Sequence, residues 1–281
     1  MSIKNRTIFC RYQKMLESIY PAEEAKGMVY RLAEHFFGIA RPQLLLLLDQ
    51  AEDVELSRYI EVSAQRLLQH EPLQHVIGEV EFYGCRIKVN PKVLIPRPET
   101  EEMVDTIIKD WRGKNPRIID FGTGSGCIPI SLAKALPHSA VRSVDISGEA
   151  LEIARENALL NGVDVDFVQA DMRAYSDSGS YDIIVSNPPY VMDSEKEQMR
   201  DNVLHHEPHL ALFVDDGNPL EFYIPIAEFA SRSLAAEGAV YLEINQQLGQ
   251  QTSDLFRAKG MFAEVRQDMF GVDRFVVVRW K

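Results

Sequence analysis

Arg117-Ile118-Ile119-Asp120-Phe121-Gly122-Thr123-Gly124-Ser125-Gly126-Cys127-Ile128-Pro129-Ile130-Ser131-Leu132-Ala133-Lys134-Ala135-Leu136 reads as a short apolar strand, a glycine turn and a helix. That succession opens the nucleotide-binding half of an open α/β sheet. The dinucleotide fingerprint does not fit. With Gly122 and Gly124 as its first two glycines, the third glycine or alanine falls on Cys127. The pattern is instead D-x-G-x-G-x-G, with Asp120 two residues ahead of the first glycine. An acid there repels a pyrophosphate and suits the ammonium of an amino-acid tail. Glycines 122, 124 and 126, with Thr123 and Ser125 between them, let a ligand approach the backbone closely. Neither a phosphate loop nor a nucleophile elbow can be drawn through these residues.

Working outward, the next strand, Ala140–Val144, ends at Asp145. An acid about 20 residues past a glycine loop, at the second strand end, is placed to hold ribose hydroxyls. After a helix over Gly148–Leu160 and the stop Asn161-Gly162, a third strand, Asp164–Gln169, leads to Asp171 and Met172. These two suit an adenine, the acid towards its amino group and the thioether against its face. A single Asp at a strand end is more often a turn former or helix cap. Three acids at three successive strand ends around one glycine loop are harder to read that way.

The fourth strand, Tyr181–Ser186, breaks at Asn187-Pro188-Pro189-Tyr190. Two prolines remove two N–H donors and leave a stiff run of acceptors. Asn187 adds a carboxamide, and Tyr190 adds an aromatic face. Such a row fits a planar NH2 group gripped by both hydrogens. A nitrogen of that kind is a poor nucleophile and needs orientation more than a strong base. A plain Pro-rich turn is the competing reading of the tetrapeptide taken alone.

Together these motifs resemble a class I S-adenosylmethionine-dependent methyltransferase and, within that superfamily, the HemK/PrmC family. Further segments carry the likeness: Glu71-Pro72-Leu73-Gln74-His75-Val76-Ile77-Gly78, Glu81-Phe82-Tyr83-Gly84, Leu94-Ile95-Pro96-Arg97-Pro98-Glu99-Thr100-Glu101, Glu207-Pro208-His209-Leu210-Ala211-Leu212 and Gly271-Val272-Asp273-Arg274. The resemblance runs from about Glu71 to the C-terminus. It departs at Leu242-Glu243-Ile244-Asn245, where Asn245 stands at an expected glycine. It implies a Rossmann-like, mostly parallel seven-stranded sheet with helices on both faces. It implies S-adenosyl-L-methionine as cofactor and, as substrate, the glutamine side-chain amide of peptide-chain release factors, modified at N5. Asn187, Pro188 and Tyr190 are then the catalytic residues, with Pro189 beside them at the substrate. Asp120, Gly122 to Gly126, Asp145, Asp171, Met172 and Asn187 form the cofactor site.

The remaining organisation follows from periodicity and punctuation. Residues 1–75 show helical spacing (Thr7–Tyr20, Ala22–Gly38, Pro42–Leu48, Val54–His70) and no strand signal, so they read as a small all-α bundle for substrate recognition. Residues 76–95 read as a β-hairpin linker, Glu79–Tyr83 and Arg86–Val89 around Gly84-Cys85. Residues 96–281 form the methyltransferase domain. Its closing elements are helices Pro219–Ala236 and Gln246–Lys259 and strands Ala239–Ile244, Phe262–Gln267 and Arg274–Trp280.

Composition narrows the function classes. Hydrophobic content of 46% and charged content of 26% are ordinary for a soluble globular protein. The Leu44–Leu48 run is too short to span a bilayer and reads as a buried helix turn, and the N-terminus lacks a signal-peptide core. Cys10, Cys85 and Cys127 form no C-x-x-C pair, which suits a reducing, cytoplasmic setting. His205, His206 and His209 lack a metal-site spacing, so no metal is expected. The net charge of −12 is carried almost wholly beyond residue 75 and disfavours a nucleic-acid backbone. The resemblance implies a protein substrate in translation termination, and a monomer is the expectation. The alternative is methylation of an exocyclic adenine amine in DNA or RNA, because adenine N6 and a glutamine amide present the same planar donor pair. A DNA enzyme would have to extrude its base, and no basic or aromatic insertion for that is evident.

Overall fold

The computed structural model describes residues 4–281, with backbone only at Gln198, so the first three residues of the expected helical domain lie outside it. The chain divides into two compact units, one of residues up to Gly78 with Asp201–His206, the other of Glu79–Arg200 with Glu207–Lys281.

The smaller unit holds α1 (Asn5–Leu16), α2 (Ala22–Phe37), α3 (Arg41–Leu47), α4 (Val54–Leu67) and α5 (Leu73–Ile77). Apolar residues three and four apart build its core: Ile8, Tyr12 and Leu16 on α1, and Leu56, Ile60, Ala64 and Leu67 on α4. Asp53 caps α4 by accepting from the Glu55 and Leu56 amides at 3.0 Å. The Leu44–Leu48 run is buried only at its two ends. Leu45 and Leu46 are exposed, because a helical turn turns one face inward and the opposite face out. Helix α5 falls within E-P-L-Q-H-V-I-G, too short to show a period in the sequence.

The larger unit begins with the hairpin β1 (Glu79–Phe82) and β2 (Cys85–Lys88), antiparallel as expected. It continues with α6 (Pro98–Trp111), β3 (Arg117–Phe121), α7 (Cys127–Ala135), β4 (Ala140–Asp145), α8 (Gly148–Asn161), β5 (Asp166–Gln169), β6 (Tyr181–Ser186) and β7 (Val191–Met192). After α9 (Asp201–Leu204), which clusters with the smaller unit, come β8 (Phe213–Val214), α10 (Tyr223–Ser233), β9 (Leu234–Glu243), α11 (Gly249–Arg257), β10 (Met261–Gln267) and β11 (Asp273–Trp280). The main sheet has seven strands in the order β10-β11-β9-β6-β3-β4-β5. β9, β6, β3, β4 and β5 are mutually parallel, and β11 runs antiparallel to both β9 and β10. Strand order reverses beside β3, so the carboxyl ends of β3, β4 and β6 open on one crevice. Two apolar clusters pack the sheet, one with α6 and α7, the other with α10 and Phe256 of α11.

The hairpin read as a linker packs within the larger unit. Asn157 of α8, fully buried, accepts from the Lys88 amide (2.7 Å) and donates to the Lys88 carbonyl (3.0 Å). One turn on, Asn161 pairs in the same way with both backbone groups of Arg86. The two carboxamides stand where a third strand would. Asn157 also donates to the Ser125 carbonyl at 2.9 Å, tying the hairpin to the glycine loop. The helix expected over Pro219–Ala236 is shorter, because β9 starts at Leu234 directly after it.

Candidate active site

A cavity of about 360 Å³ opens at the carboxyl ends of the parallel strands. Gly122, Thr123, Gly124 and Ser125 form one side of it, Asp145 the adjoining wall, and Asp171 and Met172 the next. Asn187 and Pro189 face it from the end of β6. Gly126 is not on the wall. Its φ of +81° suits glycine, and a Cβ there would lie 2.9 Å from Ile130 Cδ1 and 3.1 Å from Ala154 Cβ. It is a packing position between α7 and α8.

Gly122, at φ +85°, lies at the centre of the crevice. A Cβ on it would sit 3.6 Å from the Asn187 carbonyl oxygen and 3.6 Å from Met172 Cε. Three motifs far apart in sequence therefore meet over one glycine.

Asp120 stands behind this wall. It is fully buried, and its Oδ2 accepts from the Ser143 hydroxyl at 2.6 Å. Since that proton is committed, Ser143 accepts from Thr123 at 2.7 Å, so Asp120 reaches the wall through two hydroxyls. Its Oδ1 has no hydrogen-bond partner among the described residues. Burial, helped by the charge of Asp145, pushes the Asp120 carboxyl up to about 7. Burial likewise raises the neighbouring Cys127 thiol to about 12, which makes it a packing residue and not a nucleophile. Asp145 accepts from the Gly124 amide (2.9 Å) and the Ser147 amide (2.8 Å), so it closes the glycine loop as well as facing the cavity. Asp171 is gripped by Arg173, which also reaches Glu221 at 2.5 Å. This pairing with Arg173 holds the Asp171 carboxyl below its usual value.

At N-P-P-Y the structure adds residues that the sequence reading did not single out. Asn187 Nδ2 donates to Thr100 Oγ1 (3.1 Å), and Thr100 donates to Glu243 Oε2 (2.7 Å). The Tyr190 hydroxyl donates to Glu243 Oε1 at 2.8 Å. Glu243 is 1% exposed, and burial raises its carboxyl. Pro188 and Tyr190 do not line the cavity; the tyrosine ring packs against the core beside α10. Thr100 and Glu243 both lie in motifs noted for other residues, but their pairing spans 143 positions. Asn245, at the expected glycine, has no positive φ. Its carboxamide donates to the Tyr190 carbonyl (3.2 Å) and to Glu195 (2.8 Å), bracing the loop from outside.

Arg97, from the Leu94–Glu101 segment, lines the cavity. It pairs at 2.5 Å with the buried Glu207, whose second oxygen accepts from the Ile95 amide at 3.0 Å. This joins P-R-P-E-T-E to E-P-H-L-A-L across the cavity. Among the described residues no group of three His, Cys, Asp or Glu is arranged to hold a metal, and no helix is long and apolar enough to cross a membrane.

Comparison with known proteins meets this geometry. A family model described as methyltransferase small domain matches residues 99–211, and one described as PrmC N-terminal domain matches residues 11–78. The release factor glutamine methyltransferase of Flavobacterium psychrophilum is 42% identical over the whole of both chains. The chain belongs to the release factor glutamine methyltransferase family. The Bacteroides thetaiotaomicron family member is 44% identical, covering 94% of this chain and 96% of its own. The fold is shared more widely. A methyltransferase from Pyrococcus furiosus, 18% identical, superposes with a TM-score of 0.53 over 76% of this chain and 95% of its own.

Proposed function

We propose that this chain transfers a methyl group from S-adenosyl-L-methionine to the N5 amide nitrogen of a glutamine in a peptide-chain release factor. The observation that carries the reading is the Asn187 carboxamide. Its amino side is held by Thr100, which leaves Oδ1 as the acceptor at a cavity wall shared with the glycine loop. The cofactor fits the residues present. Asp120 supplies the negative charge an ammonium needs, its Oδ2 connected to the wall through Ser143 and Thr123 while its Oδ1 has no partner among the described residues. Gly122 to Ser125 would flank the methionine portion, with Gly126 supporting the loop from behind. Asp145 would hold the ribose, Asp171 the adenine amino group and Met172 the adenine face.

Bound there, S-adenosylmethionine supplies an electrophilic methyl carbon and a neutral thioether leaving group. The chain's own residues orient the nucleophile. Asn187 Oδ1 accepts one amide hydrogen at the wall. The carbonyl of Pro188, set just behind that wall between Asn187 and Pro189, is our assigned acceptor for the other. The proton the nitrogen loses passes to these acceptors or to water. Positioning of this kind supplies most of what a weak nucleophile needs. Tyr190 fixes the loop through Glu243, and Pro189 closes the wall. The protein acts as a cytoplasmic monomer on a protein substrate, and its helical unit recognises that substrate. Labelled-methyl transfer should go to an intact release factor and not to a duplex oligonucleotide, and less efficiently to a short peptide bearing the same glutamine. Transfer to the oligonucleotide would replace the substrate class, and equal kcat/KM on peptide and protein would remove recognition from the helical unit.

A further inference from the structure

Glu243 is a buried acid for which the transfer step has no direct use. It does not line the cavity, yet both of its oxygens are engaged by groups that hold N-P-P-Y. Thr100, third residue of α6 and 2% exposed, is the link to Asn187. A threonine hydroxyl has one proton. Here it is directed at Glu243 Oε2, so Thr100 can offer Asn187 only lone pairs. The amino side of the carboxamide satisfies those lone pairs. Turned by half a rotation, Asn187 would set Oδ1 against Thr100 Oγ1, two acceptors with no proton between them, which is costly in a buried place.

The two faces of a carboxamide select opposite partners. An oxygen towards the cavity accepts from a substrate NH2 group and repels a carboxylate. An NH2 towards the cavity would do the reverse. We propose that Glu243, acting through Thr100, is the positioning residue that fixes the orientation of Asn187 and thereby makes the site select a primary amide over a carboxylate. This rests on Asn187 being the acceptor for the glutamine amide. Glu243 does not line the cavity, and Thr100, which does, has its one proton committed to Glu243. Their part is to set the direction of every hydrogen bond in the row Asn187, Thr100, Glu243, Tyr190.

The test uses the full-length protein and two forms of a release factor, one with the acceptor glutamine and one with that glutamine changed to glutamate. Thr100→Val keeps shape and removes the hydroxyl. It should lower kcat on the glutamine form about tenfold or more, the loss of one buried hydrogen bond at an oriented group, and leave calorimetric cofactor affinity within about twofold. It should also tighten binding of the glutamate form relative to the glutamine form, a ratio that a merely structural defect would not shift. Thr100→Ser should restore both kcat and the ratio. Glu243→Gln, which must donate with one of its two atoms, should act in the same direction, and the double variant should fall short of the product of the singles. The Asn187 side-chain amide protons should exchange faster in Thr100→Val. If Thr100→Val keeps wild-type kcat, or loses kcat with an unchanged amide-to-carboxylate ratio, the proposal is overturned. If the wild-type protein itself transfers no methyl to the glutamine form, the function proposed above fails instead.

Discussion

Two buried acids stand behind one cavity, each connected to it through hydroxyls, and they are wired differently. Asp120 is reached through Thr123 and Ser143 and keeps one oxygen unpaired. Glu243 is reached through Thr100 and has both oxygens satisfied. Burial raises both carboxyls, but an acid with an unmade hydrogen bond in a dry place is also disposed to take up a cation. An acid with all bonds made has nothing left to bind and can only impose direction on its donors. The first arrangement suits a wall that receives a charged ligand, the second a wall that orients a neutral one.

The sharpest break of this comparison lies at the outer end of the Glu243 row. Asn187→Ala removes the oriented acceptor and should lower kcat on the release factor by about 10²-fold or more, with cofactor affinity nearly unchanged by calorimetry. Asn187→Asp should be almost as poor. It loses the Nδ2 donor and faces a Thr100 oxygen whose proton already belongs to Glu243. Near wild-type turnover in both variants would reduce N-P-P-Y to a structural turn.

The Asp120 wall answers to pH. Its carboxyl lies near 7 in the free protein, with Ser143 opposing and Asp145 reinforcing the rise. The direction is that of a raised folded-state value: the stability contributed by neutral, buried Asp120 is full below the ordinary aspartate range and is lost as pH rises through about 7. An ammonium at this wall needs the ionised form, so cofactor affinity should move oppositely. Calorimetry should find it about tenfold weaker at pH 6 than at pH 8, and Asp120→Asn should flatten that profile. A profile equally steep in the variant would take the ammonium away from Asp120.

The smallest effect should come from the outer hydroxyl of the Asp120 row. Thr123→Val leaves Ser143 and Asp120 in contact, so cofactor affinity should fall only a few-fold, roughly one neutral hydrogen bond, with kcat on bound substrate unchanged. Thr100→Val, the same substitution in the Glu243 row, should act on kcat instead. Identical responses at the two threonines would erase the distinction between the walls.

What the sequence disclosed about this site tracks how far its hydrogen bonds travel. The glycine loop, the acids at strand ends and the N-P-P-Y break are local patterns, and the structure brings most of those residues to one crevice. The seven strands were legible as well, as apolar runs with glycine, proline and asparagine punctuation, whereas their order, with antiparallel β11 between β9 and β10, is set by non-local pairing. The hidden part is non-local. Thr100 meets Asn187 across 87 positions and Glu243 across 143, distances over which no periodicity speaks. Arg173 as the partner of Asp171, and Gly126 as a packing residue instead of a ligand contact, are likewise visible only once helices and strands are in place. Asn245 looked like a defect at a glycine position and proves to be a brace.

The two asparagines that flank β2 bear on how the chain acquires its structure. A two-stranded ribbon is marginal in water, and the outer edge of this one is completed by α8 side chains 69 and 75 residues away. The inner face of the hairpin, Phe82, Cys85 and Ile87, belongs to the core that α6 and α7 also build, but its outer edge stays open until α8 has docked. Once docked, β2 has no open row of amides and carbonyls at Arg86 and Lys88, so the same asparagines close an edge on which another chain could otherwise grow.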